Sequence, residues 1–521
     1  MPGELSNDKM PQANVRQLII ALDAMEWSLV EQWAAQQKLP TLQRLLKEGT
    51  YGPLSSTAAQ LPDTVWTSIY TGMNPAKYQK YFYIQYEAAT RNLKLLSDDE
   101  SGATPFWHYL SKAGKRIAIL DPPKFPCSDR MNGIQLTNWG AHATKTARSS
   151  HPKSLLLEVD RKFGRHPVGD CDCVDSNPAA LSGLRERILK GIHVHGEVFR
   201  WAMMEHQWDV FFAGFSAAHC VGHHFWHFFD QHHPKHPEKD PYSLEDTIEA
   251  AYRAMDEEIG KMLSQAGHDV RLMLVAGHGM GPLYHASWNL MQILEVLGYG
   301  PSRDRTSHMP LSAAVNPWRL LKMTLPGKMQ YAIKEMLPRR LQNELLFRWY
   351  AGSRDWRGWR AFAIPNNDSV GAIRVSVIGR DRDGVVHPGS EYQKVCHELS
   401  EALYKLTDPC SGRSIVKAVS ISCEQFHGPY LPQLPDITVL WDQSFSWDSI
   451  DIPGHGILKL RQQDARTGSH TPQGFFIIHG PDVPPGRSLA GYSTYDIAPS
   501  ILETARVSIP EDMDGRPIVF Q

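Results

Sequence analysis

The chain has 521 residues, of which 42% are hydrophobic and 21% charged, with a formal net charge of −2 at pH 7. That length exceeds a usual single domain, so one large core carrying an insertion is expected, and the ordinary composition excludes a disordered or fibrous chain. A basic stripe and an apolar run of about 18–20 residues are both missing, so neither nucleic acid nor a membrane is an expected partner.

The N-terminal stretch MPGELSNDKMPQANVR is polar and holds no signal-peptide core. Seven cysteines are spread through the chain, and Cys171 and Cys173 are too isolated for a four-cysteine zinc module or a disulfide framework. A reducing, cytoplasmic location is the expectation. Short apolar runs that end in polar or glycine-rich residues then read as buried parallel strands. In chain order they are Arg16–Leu22, Arg116–Leu120, Asp209–Phe215, Arg271–Ala276 and Gly474–Ile478. Helical periodicity marks Leu181–His206 and Leu244–Gln265, the second placing Ile248, Ala251, Met255, Ile259 and Met262 on one face. Strands alternating with helices predict an α/β fold, a mostly parallel sheet covered on both faces.

Between Pro301 and Pro453 the character changes. A helical segment dotted with proline and arginine, Trp318 to Trp359, leads to the β-like Ala372–Ile378, a turn at Asp383-Gly384 and a helix over Glu391–Leu406. This predicts an inserted α+β cap over 301–453, with the core formed by 14–300 plus 454–521. The chain returns to the core with Gly474–Ile478 and a final helix from near Tyr495.

Ligands of open parallel sheets bind beyond the carboxyl ends of the strands. Asp23 follows the first apolar run there. His219 and His223 follow Asp209–Phe215 in SAAHCVGHHFWHFFD, His278 follows Arg271–Ala276 in AGHGMGP, and His470 stands just before Gly474–Ile478 in TGSHTPQG. Singly, each is ordinary: an Asp after a strand usually caps a turn, and a loop His is usually solvated. His224, His227, His232, His233 and His236 are read that way. Together, the Asp and four His form a donor set for zinc or a similar divalent ion. Spacing by four also sets His219 and His223 on one helical face.

A nucleophile is expected in LPDTVWTSIYTGMNP, where a short helix begins at or just after Thr64. Free backbone N–H groups at such an end favour an anionic group. Metal coordination would make the alkoxide accessible. The competing reading is that Thr64 only caps the helix.

These residues resemble the alkaline phosphatase superfamily, specifically its type I phosphodiesterase / nucleotide pyrophosphatase branch. The resemblance runs through LIIALDAMEW, LPTLQRLLKEGTYGPL, TVWTSIYTGMNPAK, DVFFAGFSAAHCVGHHFWHFFD and LVAGHGMGP. In the insertion, GAIRVSVIGRDRDGVVHPGSEY and LPDITVLW resemble predicted phosphohydrolase/phosphomutase relatives, and SHTPQGFFIIHGPDV and YDIAPSILETARVSIPEDMDGRPI resemble the closing segment. It implies an alkaline-phosphatase-like fold and a small anionic phosphate ester as substrate. It also implies two neighbouring divalent-metal sites, zinc foremost and manganese second. One would use Asp23, Thr64 and His278, the other His219, His223 and His470. Thr64 would attack phosphorus, and a metal-bound water would release the covalent intermediate.

Three positions depart from that pattern. Gly277 and His219 stand where relatives usually have Asp, and Pro62 fills the place where the attacking residue often lies. Thr64 is then the nearest candidate for the attacking residue, and Thr67 and Ser68 are less suited because they would lie inside the helix. The usual three Asp and three His carry about −3, whereas one Asp and four His carry about −1. Two divalent ions would then leave about +3. The three-His site is complete in itself, while the Asp23 site is weak, with His285 as one further donor to consider. Two alternatives follow: a single-metal hydrolase using metal-bound water on another ester, or a degenerate relative that binds without turnover. The short modified-Cys or modified-Ser motif of sulfatases is absent. Arg374, Arg380 and Arg382 could reach anionic groups, although Arg on a β-surface is usually just solvated. Trp139 and His142, after Gly133–Leu136, are equally open.

Overall fold

A computed structural model describes residues 15–96, 102–140, 147–171, 174–284, 289–301, 356–460 and 466–520, with single positions 329, 337 and 341. All of the apolar runs become strands of one sheet. Its order is Arg487–Ser488, Thr50–Ser55, Gln473–His479, Val270–Ala276, Arg16–Leu22, Val210–Phe215, Ile117–Leu120, Gly133–Thr137 and Ser149–His151, with Tyr492–Ser493 also paired to Thr50–Ser55. Arg16–Leu22 lies between two parallel neighbours, Val210–Phe215 and Val270–Ala276.

Burial explains why these runs read as continuous apolar stretches. Leu18, Ile20 and Leu22 enter one core together with the helices Pro178–Glu205, Ala217–Phe229 and Thr247–Ala266. Ile19 and Ala21 enter a second, with Val65–Thr71, Phe106–Lys112 and Ile497–Thr504. Side chains alternate across a strand, so covering both faces demands apolar residues at every position. The stripe Ile248, Ala251, Met255, Ile259 and Met262 is buried, as its periodicity requires. Among the described residues no helix is long and apolar enough to cross a membrane.

One expectation is corrected. Gln473–His479, expected to be parallel, runs antiparallel to Val270–Ala276. An apolar run carries no mark of direction. The reversal matters for the site, because this strand begins where its parallel neighbours end. His470, just before it, therefore lies at the same edge as the residues that follow those neighbours.

Within 301–453, where the sequence suggested an insertion, the described residues form an antiparallel sheet in the order Ala361–Ile364, Val370–Val375, Ile437–Trp441 and Val416–Ile421. Helix Ser390–Tyr404 packs on it through Val395, Leu399 and Leu403. The same apolar cluster takes in Tyr81, Ile84 and Tyr86 from earlier in the chain and Leu290, Ile293 and Leu294. Most of Trp318–Trp359 lies outside the described residues; Trp356 and Trp359 are buried in this cluster.

Candidate metal centre

Helix Ala217–Phe229 starts directly after the strand Val210–Phe215, which sets its first turns at the carboxyl edge of the sheet. His219 and His223 occupy one face of it, with their Nε2 atoms 3.3 Å apart. A two-stranded ribbon, Gly279–Pro282 paired with Gly468–Thr471, supplies the opposite wall. It joins the loop holding His278 to the strand holding His470. His219, His223 and His470 each offer a ligand atom within 4.8 Å of the others, and all are buried.

The surroundings prepare these imidazoles to act as ligands. The His223 Nδ1–H donates to the Gly468 carbonyl at 2.7 Å, which leaves Nε2 with its lone pair toward His219. His470 Nε2 is buried and makes no hydrogen bond among the described residues. Burial, then the neighbouring His278 and His223, hold the His470 pKa well below the usual imidazole value. A neutral, desolvated imidazole with an idle nitrogen fits a bound cation, so the three-His set could hold one.

Asp23 and His278 adjoin the cluster. The His278 ring lies 4.3 Å from that of His470, centroid to centroid. Its Nε2 is 3.5 Å from Asp23 Oδ1. That same oxygen accepts the Trp66 indole N–H at 2.7 Å. The structure thus brings Asp23, His219, His223, His278 and His470 into one neighbourhood.

Thr64 lies at the end of the short turn Pro62–Thr64, before helix Val65–Thr71, and is fully buried. Its hydroxyl does not cap that helix. It donates to the Leu61 carbonyl at 2.6 Å and lies 2.9 Å from Thr57 Oγ1. Its hydroxyl partners are therefore in its own loop, not Asp23 or the imidazoles. Ser68 Oγ is 2.8 Å from the Tyr78 hydroxyl, and Thr67 is buried within the helix.

Several contacts had no signal in the sequence pattern. Glu26 Oε2 accepts from Thr471 Oγ1 at 2.8 Å and from the Met280 N–H at 3.2 Å, tying the first strand's loop to both walls of the ribbon. Lys124, in the loop after Ile117–Leu120, pairs with Asp63. Asp121, at the end of that strand, accepts the Trp139 and Gly140 N–H groups at 2.8 Å and lies 2.8 Å from His195 Nε2. Of these residues only Asp121 carried a signal, since it directly follows an apolar run as Asp23 does.

Other expectations are corrected. Arg374 and Arg380 do not face an anionic ligand. Arg374 is buried on Asp381 and on the Pro432 and Leu434 carbonyls, and Arg380 binds Asp381 and Asp436. Arg382 is exposed beside Asp383. Trp139 is a core residue whose indole donates to Asp160 at 3.1 Å. His142 and His285 lie outside the described residues.

A family model described as type I phosphodiesterase / nucleotide pyrophosphatase matches residues 17–456. No curated protein sequence matches the chain. Among solved structures, an inactive murine ectonucleotide pyrophosphatase / phosphodiesterase 5 in complex with AMP is 13% identical with a TM-score of 0.45, over 95% of this chain and 96% of that one. Phosphonoacetate hydrolase from Sinorhizobium meliloti 1021 in complex with phosphonoformate is 13% identical with a TM-score of 0.48, over the same shares. The human ectonucleotide pyrophosphatase / phosphodiesterase 5 is 12% identical, with a TM-score of 0.46 over 95% and 96% of the two chains.

Proposed function

The chain belongs to the type I phosphodiesterase / nucleotide pyrophosphatase family, and from that premise we propose that it hydrolyses small anionic phosphate esters, of the phosphodiester or pyrophosphate type, at the three-His centre. The convergence of the buried His219, His223 and His470 carries this reading. Zinc suits three neutral imidazoles with one open position, and manganese is the second choice. Such an ion polarises a phosphoryl oxygen and lowers the pKa of water.

The chain's own residues supply aim and charge. The Gly468 carbonyl orients His223, and Glu26 ties the loops that carry His278 and His470. Lys124, paired with Asp63 in the strand-end loop, is near enough to His278 and His470 to act on their charge, and in this reading it also attracts the anionic substrate. The insertion over 301–453 caps this edge and shapes specificity in this reading. In this reading the chain works in a reducing, cytoplasmic compartment.

Two attacking groups compete. Thr64 is the nucleophile that family resemblance assigns. Its hydroxyl proton goes to a backbone carbonyl, which is no base, and this favours the second reading, direct attack by water. Chromogenic phosphodiester, phosphomonoester and sulfate esters, assayed with added zinc or manganese, test the proposal together with His223→Ala and Thr64→Ala. Metal-dependent phosphoester turnover that His223→Ala abolishes is the expected outcome. Loss of turnover in Thr64→Ala assigns the attack to the hydroxyl, and survival assigns it to water. Metal binding without turnover of any ester would sink the hydrolase reading in favour of a binding relative.

A further inference from the structure

Two-metal hydrolysis requires a second donor set beside the first. Resemblance assigns that set to Asp23, Thr64 and His278, with a carboxylate at position 277. A Cβ built on Gly277 would stand 2.3 Å from Val65 Cγ1 and 2.7 Å from Ile69 Cδ1. Both side chains are fully buried, and valine has little rotamer freedom with which to move aside. The room a carboxylate would need is filled by hydrocarbon from helix Val65–Thr71.

The remaining donors are few, because Thr64 turns its hydroxyl into its own loop and leaves only Asp23 and His278 side by side. Asp23 Oδ1 accepts the Trp66 indole N–H, Thr64 donates to the Leu61 carbonyl, and His278 Nδ1 is 3.2 Å from the Gly279 carbonyl. A second cation here would have one carboxylate and one imidazole against two aliphatic side chains. Buried charge with so few partners is strongly disfavoured.

Resting on the three-histidine reading, we infer that this edge of the sheet holds a single divalent ion, on His219, His223 and His470. Asp23 and His278 bond to the neighbouring helix and loop, and by themselves they are too few donors for a second ion. The packing of Val65 and Ile69 over Gly277 is what closes the second position.

Titration of the metal-stripped full chain with cobalt(II), read from its visible absorption, gives the stoichiometry, and elemental analysis after desalting from excess zinc checks it. One equivalent is expected in the wild type and in Asp23→Asn, and none in His223→Ala. Two equivalents in the wild type, falling to one in Asp23→Asn, would overturn the inference and leave the three-histidine reading intact. One equivalent that survives His223→Ala but is lost in Asp23→Asn would overturn both, as would a wild type that binds no ion. Should Asp23→Asn fail to fold, the wild-type end-point alone separates one ion from two.

Discussion

The aim of His223 depends on a backbone contact that only glycine allows, and Gly468→Ala tests it. A Cβ on Gly468 would stand 2.2 Å from the Gly222 carbonyl oxygen on the neighbouring helix. Carbon and oxygen approach to about 3.3 Å at closest, so helix and strand must part by about 1 Å. The 2.7 Å bond from His223 Nδ1 to the Gly468 carbonyl crosses the same gap. Lengthened by that amount it passes the limit of about 3.5 Å at which a hydrogen bond holds. Losing an outer partner of a metal-bound His typically costs 10–100-fold in affinity, or about 1.4–2.8 kcal/mol. Zinc affinity is measured by competition with a fluorescent chelator, with thermal unfolding of both metal-free proteins as the control for folding. A folded Gly468→Ala protein with wild-type zinc affinity would refute the reasoning, because the ring would then be aimed by something else.

Lys124→Ala should lower kcat/KM by about 10–100-fold, the range of roughly 1.5–3 kcal/mol for a charged hydrogen bond; steady-state kinetics showing no change would remove Lys124 from substrate binding. Arg374→Met leaves Asp381 short of a buried partner, so it should cost about 3–5 kcal/mol in urea unfolding, and a cost below about 1 kcal/mol would contradict the buried pairing. Burial, then the neighbouring His195, pushes His166 down to about 3. The unfolded imidazole binds its proton near about 6.5, so stability is complete above that pH and falls as pH drops toward about 3. His166→Gln should flatten that slope by about 1.4 kcal/mol per pH unit in unfolding experiments between those limits; an unaltered slope would mean His166 does not stay neutral in the fold.

The strands were legible because the sheet is covered on both faces, which makes Leu18 to Leu22 apolar at every position. The His219–His223 pair was legible because four residues of helix return to one face. Strand direction was not, since Gln473–His479 would read the same either way. Glu26 and Thr471 were out of reach for another reason: they bond across 445 positions of sequence. Arg374 and Arg380 share Asp381, close in sequence, but the second carboxylate that makes their β-surface a buried ion network, Asp436, lies some 60 positions on.

In the proposed one-ion centre, two glycines play opposite parts. Gly468 has no Cβ, so its strand approaches the backbone of the His219–His223 helix closely enough for its carbonyl to orient an imidazole. Gly277 also has no Cβ, but the room it leaves is filled by Val65 and Ile69. A polar contact fixes the lone pair that a cation needs, whereas hydrocarbon packing supplies no donor and excludes the water that could replace one. The strand-end histidines alone do not decide how many ions the edge can hold. The packing behind each of them does, and here it supports the His223 side and withholds support from the Asp23 side.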